Sequence, residues 1–181
     1  FGNICAGILA HHRGLPVEHF IAACNVNDVV PEYLRTEILQ PKETVATISN
    51  AMDVGDPSNF VRILELFDKE FNQVKNKLSG YTIDDEETLK TIERVEKDYG
   101  YVLDPHGAVA FVALEKYLTE NDGKGFFLET AHPVKFPDSV EQATGKSVEI
   151  PKSLEELMKQ EKFTTEINPQ YEELKEFLLK K

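Results

Sequence analysis

The sequence predicts an α/β fold in which a mainly parallel sheet is flanked by helices. Short continuous apolar or β-branched runs, typical of strands buried on both faces, occur at 20–24, 44–48 and 126–128. Each of these runs ends in Ser, Thr or Asn ahead of the next segment. Because segments with helical character separate the runs, the order of elements is that of a parallel sheet.

The first helices are predicted from their ends and from the spacing of their apolar residues. A buried helix opens at Gly2 and stops at Gly14, after basic residues in its last turn. Asp28 is expected to cap a second helix that runs through Leu34. A further helix is predicted over 60–71, where apolar residues recur at helical spacing.

The later helices have clearer boundaries. Segment 85–99 carries one apolar stripe and is closed by Gly100. Asp104 is then an N-cap followed by Pro105 at the first helical position, and the helix it opens is apolar nearly all round over 108–118, so we expect it to be central. Two short amphipathic helices rich in Glu and Lys are predicted last, at 153–158 and 171–179.

The composition excludes several classes of partner. The chain has 181 residues, of which 41% are hydrophobic, and this is enough to build a packed core. Its 32 acidic and 20 basic residues give a net charge of −12, which argues against a nucleic acid or an anionic membrane as partner. No apolar run approaches the roughly 18 residues of a membrane span.

Cysteine and histidine usage argues against disulfides and metal sites. Cys5 and Cys24 are the only two cysteines, so we expect neither a disulfide framework nor a Cys-rich zinc site. A reducing, cytoplasmic location is therefore expected. His11 and His12 are adjacent on a helix and point apart, so they cannot chelate one metal ion together. No metal site is predicted.

Polar residues at the ends of the predicted strands indicate a ligand site. Open parallel sheets bind ligands at the carboxyl ends of their strands. The alternative for any single residue is that it caps the helix that follows. The Gly2-Asn3 pair adds to the first interpretation, because a helix N-terminus that begins with Gly can cradle a phosphate group, although it can equally be an ordinary helix start.

Five segments of the chain carry a closer resemblance. They are 1–4, 22–31, 49–62, 103–109 and 129–136. In this order they resemble the threonine synthase family, and only its C-terminal part. The resemblance implies that residues 1–181 are the C-terminal portion of the large domain of a fold type II enzyme that uses pyridoxal 5′-phosphate (PLP), with the N-terminal part absent. The implied reaction converts O-phosphohomoserine and water to L-threonine and phosphate.

The resemblance also implies roles for particular residues. Gly2 and Asn3 would hold the phosphate group of PLP, and Thr130 would form a hydrogen bond with its pyridine nitrogen. The candidates for substrate binding are Ser49, Asn50, Asp53, Arg62, His106 and His132. A surface ion pair is the alternative for Arg62, and a structural role is the alternative for the two histidines.

The lysine that the family uses to bind PLP covalently is not expected in this chain. In the family that lysine lies in the N-terminal half, within a Phe-Lys-Asp context, and no such tripeptide occurs here. Lys135 stands in a different position, in a His-Pro-Val-Lys-Phe segment. We therefore expect no catalytic residue in this chain and no activity from it in isolation. Its expected partners are a small-molecule substrate and the missing N-terminal part of the same polypeptide.

Two other functions remain open at this point. A non-catalytic module that binds a small anion or a partner would fit the absence of the lysine. Another enzyme of the same PLP fold type, such as a dehydratase, is disfavoured by the segments at 49–53 and 104–108, which resemble threonine synthase specifically.

Overall fold

The computed structural model describes residues 1–180, which divide into two compact units. The first unit comprises residues 1–148 and contains both strands of the structure's sheet, and the second begins at Glu149. The strands are β1 (Phe20–Cys24) and β2 (Leu78–Thr82). The helices of the first unit are α1 (Gly2–His12), α2 (Val29–Thr36), α3 (Val61–Leu66), α4 (Phe71–Lys77), α5 (Asp85–Tyr99), α6 (Pro105–Glu120) and α7 (Pro137–Thr144). Those of the second are α8 (Lys152–Met158) and α9 (Tyr171–Leu179).

The sheet is parallel, as predicted, but only one of the three predicted strands belongs to it. β1 pairs in register with β2, from Phe20 opposite Leu78 to Cys24 opposite Thr82. Sequence reasoning missed β2 because its Leu-Ser-Gly-Tyr-Thr sequence is neither continuously apolar nor alternating. A Cβ added at Gly80 would lie 2.7 Å from the Cα of Pro31, so the glycine is what lets α2 approach this strand.

The predictions of strands at 44–48 and 126–128 were wrong. In the first segment, side chains rather than a neighbouring strand pair with the backbone, since the N–H groups of Val45 and Thr47 donate to Asn27 and Asp53. In the second, Phe126 is 70% exposed, and Phe127 packs edge-on against Phe111 of α6. The apolar residues of this run therefore serve helix packing and line a cavity instead of filling a sheet.

Most predicted helices are present, with two differences. Segment 60–71 is not one helix, because Asp68 and Lys69 adopt positive φ angles of 51° and 61° between α3 and α4. Asp28 occupies the N-cap position of α2, yet its side chain does not cap the helix. It accepts hydrogen bonds from Lys42 Nζ (2.7 Å) and Thr82 Oγ1 (2.9 Å) and so ties α2 to the end of β2.

The core of the first unit places α6 centrally. This helix packs against both β1 and α5, and its first five residues are all buried. Asp104 caps it by accepting from the N–H of His106 (2.8 Å), as the sequence predicts. Among the residues that the structure describes, no helix is both long enough and apolar enough to cross a membrane.

Candidate functional site

A cavity of about 920 Å³ lies in the first unit and runs the length of β1, from the 15–19 segment before the strand to Asn27 after it. Its wall also contains the first turn of α1, the 51–59 loop, residues of α6 from His106 to Leu118 and the segment 122–130. The part at the carboxyl end of β1 is where the sequence predicts a ligand in a parallel sheet. Four of the predicted site residues line the cavity together: Gly2, Asn3, His106 and Thr130.

The first turn of α1 offers unpaired backbone N–H groups to this cavity. The first hydrogen bond inside the helix runs from Cys5 N to Phe1 O (3.1 Å), so the N–H groups of Gly2, Asn3 and Ile4 have no acceptor within the helix. No side chain caps this end. Phe1 fixes the turn by packing edge-on against Phe60, with ring centroids 5.5 Å apart. The arrangement suits an anionic group, which the partial positive charge of the helix N-terminus would stabilise.

A buried polar network supports the cavity from behind the end of β1. Asn25 Nδ2 donates to Thr47 Oγ1 and to Asp53 Oδ1, each at 2.8 Å. The other oxygen of Asp53 accepts from Thr47 N at 2.9 Å. Asn25 also donates to Ser49 Oγ at 3.0 Å, and Ser49 is fully buried. Asp53 and Ser49, two predicted substrate-binding candidates, are therefore used in holding the 44–55 segment to β1 and do not line the cavity.

The remaining predicted candidates lie elsewhere on the first unit. Asn50 is exposed at the start of a short 3₁₀ turn, and Arg62 is exposed on α3. His132 caps another 3₁₀ turn, where its Nδ1 accepts from Val134 N (3.1 Å). None of the three lines the cavity, so a role for them in substrate binding stays a prediction.

Sequence reasoning missed several polar residues of the cavity wall. Among them are Glu18, His19, Asp56, Tyr117, Asp122, Lys124, Asn27, Ser58 and Asn59. The last two belong to the distinctive 49–62 segment, so the segment was correctly chosen but not the residues within it. Asn27 is the third residue after β1, and its place near a strand end was the available signal.

His106 connects α6 to the 51–59 loop. Its Nε2 accepts from the backbone N–H of Ala51 (3.1 Å), so the ring hydrogen lies on Nδ1 and is donated to Asp104 Oδ1 (2.6 Å). The ring is 93% buried and packs against Phe136, with centroids 4.8 Å apart. These contacts hold the imidazole in one tautomer at the edge of the cavity.

Glu129 is a further residue that sequence reasoning did not assign. It lies next to Thr130, and its Oε1 accepts from the backbone N–H of Asp104 (3.1 Å). Burial and the neighbouring Asp104 carboxyl group together raise the pKa of Glu129 to about 8, although the hydrogen bond from Asp104 N acts in the opposite direction. Burial alone would raise the pKa of Asp104 too, but the hydrogen bonds from His106 and the nearby Glu129 carboxyl group lower it to about 2. A carboxyl group directly after the apolar run at 126–128 was the signal in the sequence.

Comparison with known proteins gives one consistent family. The family model described as threonine synthase, C-terminal, matches residues 107–178. The threonine synthase of Escherichia coli is 48% identical over 157 residues, which are 86% of this chain and 36% of that protein. The threonine synthase of Buchnera aphidicola subsp. Schizaphis graminum is 44% identical over 183 residues, covering 100% of this chain and 42% of that protein.

Solved structures agree with these matches. The crystal structure of threonine synthase from Escherichia coli superposes with a TM-score of 0.88 at 43% identity, covering 99% of this chain and 41% of that chain. A PLP-bound threonine synthase from Brucella melitensis gives a TM-score of 0.82 at 29% identity, covering 98% of this chain and 43% of that one. The chain thus spans about two fifths of the length of the relatives it matches.

Proposed function

Because this chain belongs to the threonine synthase family and matches its C-terminal part, we propose that it forms part of a PLP-dependent carbon–oxygen lyase. The reaction converts O-phosphohomoserine and water to L-threonine and phosphate. The observation that carries the proposal is the cavity, whose wall combines the open first turn of α1 with Thr130. The alternative of a non-catalytic binding module is not favoured, because the matching proteins are threonine synthases.

The residues of the cavity wall fit PLP at two points. The free backbone N–H groups at Gly2 and Asn3, together with the side-chain amide of Asn3, suit its phosphate group, since a helix N-terminus stabilises negative charge. Thr130 offers a neutral hydroxyl for the pyridine nitrogen at another part of the wall. When bound, PLP supplies an electron sink that makes protons on the substrate's carbon atoms acidic. In this account, the residues of the chain bind and orient the ring.

The cavity wall combines apolar and polar residues. Cys24, Ala51, Met52 and Val54 contribute apolar surface, while Ser58 and Asn59 contribute polar groups. The side-chain amide of Asn27 is taken up by hydrogen bonds within the protein. A mixed wall of this kind can hold a polar substrate in a fixed orientation while limiting the access of bulk water. We propose Ser58 and Asn59 as substrate-binding candidates ahead of Ser49 and Asp53, whose polar atoms are already engaged by the protein.

We assign no lysine of this chain to covalent PLP binding. We propose that the N-terminal part of a threonine synthase polypeptide supplies the lysine, that the 181-residue chain alone is inactive, and that the enzyme works in the cytoplasm. The small-molecule substrate is the only ligand besides PLP that the proposal needs.

Phosphate release from O-phosphohomoserine tests the proposal. The native polypeptide that carries this chain is stripped of PLP and assayed before and after PLP is added back, with the 181-residue chain assayed in parallel. We expect release only from the native polypeptide and only with PLP. Release by the 181-residue chain, or release without PLP, would contradict the proposal.

A further inference from the structure

Two acidic side chains meet beside the cavity, at the start of α6. Asp104 is fully buried there, and Glu129 reaches it from the segment that ends at Thr130. Gly107 makes room for this approach, because a Cβ added at that position would lie 1.8 Å from Glu129 Oε2. The two carboxyl groups are therefore held together by packing as well as by the bond from Asp104 N to Glu129 Oε1.

The hydrogen bonds of this pair leave one oxygen on each side without a donor. Asp104 Oδ1 accepts from both His106 N (2.8 Å) and His106 Nδ1 (2.6 Å). Asp104 Oδ2 and Glu129 Oε2 are buried and have no hydrogen-bond partner among the described residues. No lysine or arginine of the described residues forms an ion pair with either group. Two neighbouring buried anions in that situation are unstable, and one proton between them satisfies both oxygens.

The surroundings decide which carboxyl group keeps the proton. Asp104 is the N-cap of a 16-residue helix and accepts two hydrogen bonds from His106, so its ionised form is stabilised. Glu129 accepts a single backbone N–H. The titratable groups that face the pair are His106 and Tyr101; burial raises the pKa of the Tyr101 hydroxyl, and the charges of the two acids raise it in the same direction. The contact that favours an ionised Glu129 is the N–H of Asp104, and burial and the Asp104 carboxyl group outweigh it.

We propose that Glu129 is a protonated donor to ionised Asp104 at neutral pH and that this shared proton positions both Thr130 and His106 at the cavity. The role given to Thr130 rests on the proposed function, whereas the shared proton does not. Glu129 acts through its neighbours and is a positioning residue. Its side chain anchors the backbone next to Thr130. Asp104 in turn holds the His106 ring by a hydrogen bond, and that ring accepts from Ala51 N.

Ionisation of Glu129 should loosen this arrangement. Above a pH of about 8, the value to which its pKa is raised, Glu129 and Asp104 would both carry a negative charge and would repel each other. The segment at 129–130 would then lose its fixed position. We expect the affinity for PLP to fall about tenfold for each pH unit above that point, as for any ligand that binds only the protonated protein.

Glu129→Gln is the decisive variant, because an amide keeps both hydrogen bonds and cannot ionise. Its oxygen accepts from Asp104 N, and its NH₂ group donates to Asp104 Oδ2. Glu129→Leu removes both bonds, and Glu166→Gln changes an exposed glutamate outside the cavity wall as a matched control. All variants are made in the native polypeptide that carries this chain.

Infrared difference spectroscopy and PLP titration give separate readouts. We expect the carbonyl stretch of a protonated carboxylic acid in wild type and Glu166→Gln at pH 7, and its loss in Glu129→Gln. We also expect Glu129→Gln to bind PLP with unchanged affinity up to pH 9, where wild type has weakened. A merely structural glutamate would give neither the acid band nor rescue by glutamine.

Either of two results would overturn the proposal. One is a wild type without the acid band at pH 7, and the other is a Glu129→Gln variant that keeps the wild-type loss of PLP affinity. The band does not depend on PLP, so a wild type that shows it but binds no PLP would contradict the proposed function and leave the shared proton supported. If Glu129→Leu fails to fold, the comparison of wild type with Glu129→Gln still tests whether the two carboxyl groups share a proton.

Discussion

His106 Nε2 accepts a hydrogen bond from Ala51 N, 55 positions earlier in the chain, at 3.1 Å. This single bond joins the start of the central helix α6 to the 51–59 loop, which also lines the cavity. The same ring donates to Asp104, so the bond to Ala51 is made by an imidazole that cannot rotate freely. The cavity is thus held in shape by buried side chains around it and not by the sheet alone.

Replacing His106 with Leu should destabilise the first unit. The change leaves the N–H of Ala51 without its acceptor and Asp104 Oδ1 without one of its two donors. Ala51 is exposed, so water can replace its acceptor, whereas Asp104 is fully buried; we therefore expect a loss of about 1–3 kcal/mol in the free energy of unfolding. Urea denaturation measures it, with the exposed His12→Leu as control. A loss no larger than that of the control would show that the ring is not structural.

Asp53→Ala should loosen the 44–55 segment. Its carboxylate accepts two hydrogen bonds from Thr47 and one each from the side chains of Asn25 and Asn27, and alanine removes all four. We expect a loss of at least about 2 kcal/mol in the free energy of unfolding, together with faster amide exchange at Thr47. Asp56→Ala, an exposed neighbour in the same loop, is the control. If Asp53→Ala instead leaves exchange unchanged and abolishes only catalysis, Asp53 is a substrate ligand as the sequence predicted.

The contribution of Glu129 to the stability of the protein should fall as pH rises from about 4.5 to about 8. The pKa of Glu129 is raised in the folded protein from an ordinary 4.5 to about 8, so in this interval the folded state holds a proton that the unfolded state has lost. Stability therefore decreases with pH across the interval and levels off above it. Asp104, with its pKa lowered from 3.8 to about 2, acts only at more acidic pH, where its contribution is lost on acidification.

Denaturation curves at a series of pH values measure this contribution. In wild type and in Glu166→Gln, the free energy of unfolding should decrease between pH 4.5 and 8. In Glu129→Gln, the part of this decrease that Glu129 causes should be absent. A slope identical in all three proteins would mean that Glu129 titrates normally in the folded state.

Gly107→Ala should be destabilising in a way that depends on Glu129. The added methyl group would overlap Glu129 Oε2, which lies 1.8 Å from the position it would take. Shortening the partner with Glu129→Ala removes the overlap, so the double variant should be less destabilised than the sum of the two single variants. Thermal unfolding of the four proteins measures the coupling. Additive effects would show that Glu129 is not packed on Gly107 in solution.

The parts of the fold that follow from local sequence signals were the predictable ones. The boundaries of α5 and α9 coincide with the predicted 85–99 and 171–179, because N-caps, a closing glycine and apolar stripes are read within one helix. The Asp104–Pro105 start of α6 was predictable for the same reason. Strand β2 was not predictable, because its stability comes from pairing with β1 and from contact with α2, which lie some 50 residues away in sequence.

In the candidate site, too, the residues marked by local sequence signals were predictable and those defined by distant contacts were not. Gly2, Asn3 and Thr130 were chosen because their neighbours form recognisable segments, and the structure brings them to one cavity. Which residues of 49–62 line the cavity was not predictable. Ser49 and Asp53 form hydrogen bonds with Asn25, a contact that the local sequence does not reveal, whereas Ser58 and Asn59 line the cavity. Glu129 escaped notice because its partner, Asp104, is 25 residues away.

Titration with PLP tests the central claim, that this cavity is the PLP site, most directly. The native polypeptide that carries this chain is compared with Thr130→Val and Asn3→Ala, with Thr164→Val as a control at an exposed threonine outside the cavity wall. We expect both cavity variants to lose about tenfold or more in PLP affinity, as the loss of a hydrogen bond to a buried or charged group predicts, and the control to match wild type. Wild-type affinity in Thr130→Val and Asn3→Ala would contradict the assignment of the cavity to PLP.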